Sequence, residues 1–87
     1  MDMNTGFLYF DNNQKLSMLQ KILNAQANFE KKFNHKAEYC LVNRGDAENI
    51  DLETISKTTK LIVRTYRFVM PKNFWVGFEG MDVRERV

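Results

Sequence analysis

A chain of eighty-seven residues with one cysteine, one histidine and one proline closes off several kinds of chemistry before any pattern is read. A single thiol cannot form an internal disulfide, which agrees with a reducing compartment. One cysteine and one histidine also fall short of the roughly four ligands of a structural zinc site. Cys40 lies inside the apolar run Tyr39-Cys40-Leu41-Val42 with no base beside it, so a thiolate is disfavoured and the residue reads as packing. His35 reads as a polar residue at a helix end. Glycine is scarce too. Gly77 and Gly80 stand away from any helix start, so no phosphate-cradling loop is expected.

Long apolar runs are likewise missing. Phe7-Leu8-Tyr9-Phe10 is too short for a membrane span or a signal peptide, and no basic residue precedes it. The expectation is a soluble, cytoplasmic chain without a membrane partner. A composition of 44% hydrophobic and 28% charged residues is that of a folding chain, with no low-complexity tract. Residues 1–87 make a single domain on length, and a domain this small hides only about 60% of its unfolded surface. No deep enzymatic cleft is expected beneath such a core.

Charge is present but uneven. Residues 38–56 hold five acids (Glu38, Asp46, Glu48, Asp51, Glu53) against Arg44 alone, whereas residues 57–78 hold Lys57, Lys60, Arg64, Arg67 and Lys72 and no acid. The two blocks can attract each other within a fold or across an assembly. The acidic block does not read as a cation site: an EF-hand loop needs a glycine at its turn and a closing glutamate, and neither is suitably placed. Arg44-Gly45-Asp46 reads as a turn rather than an adhesion signal. No catalytic, cofactor-binding or metal-binding residue is assigned, and the chain reads as non-enzymatic.

The pattern predicts an α+β fold in the order β-α-β-(short α)-β-β, with one long amphipathic helix on a small mixed sheet and a C-terminal hairpin. Phe7-Leu8-Tyr9-Phe10 forms the first strand. Asp11-Asn12-Asn13, with Gln14 as a capping-box partner, starts the long helix, whose apolar face is Leu16, Leu19, Ile22, Leu23, Gln26, Phe29 and Phe33. Asn34 ends it. Tyr39-Cys40-Leu41-Val42, apolar on both parities, is an inner strand. Asp51 caps a short helix.

Residues 60–69 and 74–79 are rich in β-branched and aromatic side chains and flank Met70-Pro71-Lys72-Asn73, which predicts a hairpin. Its register sets Val69 opposite Phe74, Phe68 opposite Trp75, Tyr66 opposite Gly77 and Arg64 opposite Glu79. Arg67 then falls on the apolar face unless a bulge shifts the register. One face of this sheet packs on the helix and the other displays Tyr66, Phe68 and Trp75. These three are the predicted interaction surface, because exposed apolar patches mark binding sites; the competing reading covers them with the short helix or with Met81, Val83 and Val87 of the tail. The preferred function is a protein-interaction or homo-oligomerising accessory module, a homodimer being the simplest form. The alternative is RNA or single-stranded nucleic acid stacked on those aromatics, with Lys60, Arg64 and Lys72 meeting phosphates.

Overall fold

The computed structural model describes residues 7–78. Within them the order is β1 (Phe7–Phe10), α1 (Met18–Phe33), β2 (Tyr39–Val42), α2 (Leu52–Thr59), β3 (Ile62–Thr65) and β4 (Asn73–Gly77). The fold is α+β, with a mixed four-stranded sheet ordered β1-β4-β2-β3. β4 runs antiparallel to both β1 and β2, while β3 lies parallel beside β2.

The long helix begins later than its capping signals imply. Asp11 and Asn13 spend their side chains on local turns, accepting from the backbone N–H groups of Asn13 and Lys15 at 2.9 Å each. Ser17 is the true cap, its hydroxyl accepting from Gln20 N at 3.1 Å. Leu16 therefore precedes the helix. The end is as expected: Asn34 takes the left-handed conformation (φ 54°) and donates to Glu30 O. Asp51 caps α2 as predicted, accepting from Thr54 N at 3.2 Å and from the Thr54 hydroxyl at 2.8 Å.

The predicted hairpin does not form. β4 inserts between β1 and β2, and β3 occupies the far edge. The reason lies in burial: Phe74, Trp75 and Val76 are apolar on both parities and all are buried, so this strand needs cover on both faces and a partner on both sides. β3 alternates and is exposed at Ile62, Arg64 and Thr65, as suits an edge. Residues 66–72, read from sequence largely as strand, form the loop that carries the chain past the end of β2 to β4. Arg67 sits in that loop with its guanidinium 5.0 Å from the Phe68 ring centroid, so the misfit in the sheet pattern disappears. Glu79 and the tail residues Met81, Val83 and Val87 lie outside the described residues.

Both helices pack on one face of the sheet. Ile22, Ala25 and Phe29 of α1 and Ile55 of α2 close over Cys40, Val42, Val63, Phe74 and Val76. The opposite, helix-free face carries a smaller cluster in which Val69 from the loop lies against Leu41 and Trp75, flanked by Tyr39 and Tyr66. The architecture is thus two layers, with a loop as partial cover on the bare side.

A candidate interaction surface

The three predicted surface aromatics are not equivalent. Trp75 is fully buried (0% exposed), Tyr66 is half-buried and Phe68 is 60% exposed. Pairing places Trp75 at the middle of the sheet, between Leu8 of β1 and Leu41 of β2. Its ring stacks on Tyr39 at 5.8 Å between centroids, and Val69 closes over it. Among the described residues it is the loop, through Val69, and not the short helix that covers Trp75; the tail named in the sequence reading lies outside them. Trp75 Nε1 is buried without a hydrogen-bond partner among the described residues. Tyr66 and Phe68 still meet edge to face at 5.6 Å.

The basic residues are dispersed. Lys60 caps α2 in the left-handed conformation (φ 66°) just before β3 begins. Lys72 lies where β4 begins, at the opposite end of the sheet because β3 and β4 run in opposite senses. Arg64 pairs with Leu41 and so points to the helix-free face. Lys72 is also partly neutralised, since its backbone N–H donates to Asp46 Oδ2 and its Nζ stands 3.7 Å from Asp46 Oδ1. The acidic and basic blocks do meet within the fold, at this contact.

Sequence reasoning missed what clamps the loops together. Asn43, at the end of β2, donates through Nδ2 to Val69 O at 2.9 Å and accepts at Oδ1 from Asp46 N at 3.1 Å. One amide side chain thus joins the loop after β2 to the loop that covers Trp75. Beside it lies a pocket of about 160 Å³ lined by Met18, Lys21, Asp46, Ile50, Lys72 and Phe74, smaller than the roughly 300–1,000 Å³ of ordinary ligand clefts. No group of three or more potential metal ligands occurs among the described residues. Burial pushes the Cys40 thiol up to about 12, which removes it as a nucleophile near neutral pH.

The apolar surface lies elsewhere, on β1. Leu8 is 50% and Phe10 60% exposed, and both side chains point to the helix-free face. Phe68 and Met70 of the loop are exposed as well. β1 is an edge strand, with no neighbour beyond it among the described residues, and it carries no charge and no proline. Native edges are usually guarded by such residues. β3, the other edge, has Arg64. The signal was legible in Phe7-Leu8-Tyr9-Phe10 itself, three aromatic β-formers and a leucine without a charge among them. Its place at an edge was not.

No protein-family model, curated protein or solved structure matches the chain. Among the described residues, no helix is long and apolar enough to cross a membrane.

Proposed function

We propose that this chain is a non-enzymatic interaction module that associates with a second copy of itself through the apolar, unguarded side of its sheet at β1. The observation that carries this reading is the combination of an uncharged edge strand, without a neighbour on its outer side among the described residues, and two large exposed side chains, Leu8 and Phe10, on the same strand. Burying them removes apolar surface from water and closes a sheet edge in one step. The small size of the domain favours assembly, because a chain of this length gains little from its own core.

The aromatic face predicted from sequence changes its role in this reading. Trp75 pairs with Leu8 and is buried, while Leu8 and Phe10 form the surface on β1 and Phe68 and Met70 are exposed on the loop. Burial of Trp75 weighs against the stacking platform on which the nucleic-acid alternative rested, as does the placing of Lys60 and Lys72 before strands that run in opposite senses.

Light scattering combined with sedimentation over about three decades of concentration tests the module reading, because self-association is concentration-dependent. The expected result is a reversible dimer weakened by Phe10→Lys. That variant places a charge on a side chain already exposed in the monomer, so the fold survives. A wild-type chain that stays monomeric at the highest concentration overturns the reading.

A further inference from the structure

Asp11 N donates to Lys72 O at 2.9 Å, which fixes the phase of β1 against β4. Backbone groups alternate along an antiparallel pair, so the N–H and C=O groups of Phe7 and Tyr9 also turn inward to β4. Those of Leu8 and Phe10 turn outward. Two residues thus offer two donors and two acceptors to the open edge, and their side chains form the exposed apolar pair on the helix-free face.

We infer that two copies join by antiparallel pairing of β1 with β1, in the register that sets Leu8 of one copy opposite Phe10 of the other, making one continuous eight-stranded sheet. This rests on the self-association proposed above and names its geometry. A two-fold axis then passes between the two Tyr9 residues, as an isologous interface requires. In this register each Leu8 exchanges both its N–H and its C=O with Phe10 of the second copy. All outward groups of both strands are then satisfied by strand residues. Sliding to a Leu8–Leu8 or Phe10–Phe10 centre leaves part of them to residues beyond the strand. On the helix-free face the register brings Leu8 against Phe10 twice, so four exposed apolar side chains cover one another.

Charge selects the same register. Asp11 continues β1 by one residue and comes to lie opposite Phe7 of the second copy. Lys32 Nζ stands 5.8 Å from the centroid of the Phe7 ring, which places an ammonium beside the incoming carboxylate. The symmetry makes two such Asp11–Lys32 pairs, one at each end of the seam. Shifting the register by two residues separates them. The second copy is therefore the occupant that the edge fits: β1 is complementary to itself in hydrogen bonding, in apolar side chains and in the sign of the charges at its ends.

Three variants of the full chain test the pairing. Leu8→Pro deletes an outward donor and leaves the β1–β4 ladder whole, as proline is tolerated where an edge N–H faces solvent; dimer affinity should fall by about tenfold or more, while the thermal midpoint measured at concentrations too low for the dimer stays that of the wild-type monomer. Tyr9→Cys sets two thiols across the axis in a pair without direct hydrogen bonds, where Cα atoms lie about 4.5 Å apart and a disulfide can close. This variant should oxidise to a covalent dimer, whereas Phe7→Cys, two residues from the axis, should not; Cys40 is buried and stays out of the exchange. Asp11→Lys and Lys32→Asp should each weaken the dimer and together restore it. A dimer insensitive to Leu8→Pro, with no Tyr9→Cys cross-link, overturns the edge pairing and leaves the module reading to the Phe68 and Met70 surface. A cross-link through Phe7→Cys instead overturns the register. A monomeric wild type overturns both proposals.

Discussion

At the scale of single residues, two large buried side chains anchor the two clusters. Ile22, on α1, and Trp75, on β4, are both fully buried, one in the helix-side cluster and one in the cluster beneath the loop. Ile22→Ala is expected to cost about 2–5 kcal/mol and Trp75→Ala about 3–5 kcal/mol, measured by urea unfolding. A loss under about 0.5 kcal/mol at Trp75 would show that the ring is surface after all. Cys40 gives a second expectation. With the thiol buried and its pKa raised to about 12, it should resist alkylation at pH 8 in the folded protein and react at once in denaturant. Rapid labelling of the native chain would contradict the packing described here.

Elements are held to one another by a few polar side chains. Asn43 ties the loop after β2 to the loop before β4, so Asn43→Ala strands the Val69 carbonyl and the Asp46 N–H. The expected cost is about 1–3 kcal/mol, together with faster hydrogen exchange across residues 66–72. The α2 cap carries a pH dependence of known sign. Hydrogen bonds from Thr54, first from its hydroxyl and then from its backbone N–H, hold the Asp51 carboxyl below its ordinary range. A depressed carboxylate contributes its stability above the unfolded-state value and loses it as pH falls through the folded one, so the cap should fail below about pH 4. In Asp51→Asn, helicity of α2 followed by NMR should lose this acid dependence; a titration unchanged from wild type would remove the carboxylate from the account.

For the molecule as a whole, β4 is shared by both hydrophobic clusters. Phe74 and Val76 belong to the core under the helices, and Trp75 belongs to the core under the loop. Neither layer can dissolve without freeing the strand that holds the other. Trp75 fluorescence and far-ultraviolet dichroism should therefore report a single coincident unfolding transition, the two-state signature of a small domain. Separated midpoints would mean that the loop and Trp75 come apart from the helix layer first.

The elements were largely legible in the residues. The three- and four-residue spacing of Ile22, Phe29 and their neighbours announced α1, Asn34 its end, Asp51 the start of α2, and the unbroken apolar run at Tyr39–Val42 an inner strand. These are local matters, decided by periodicity and by which side chain can satisfy a nearby backbone group. The order of the strands was not legible in that way. A short loop between two β-rich segments favours a hairpin on sequence alone, but Phe74, Trp75 and Val76 cannot all be buried in an edge strand. The competition for cover on both faces moved β4 to the middle of the sheet, and only the folded chain resolves it. That same move buried Trp75 and left β1 at an edge, with Leu8 and Phe10 exposed. The character of the candidate surface, aromatic and aliphatic, was thus written in the sequence; which residues form it was decided by the order of the strands.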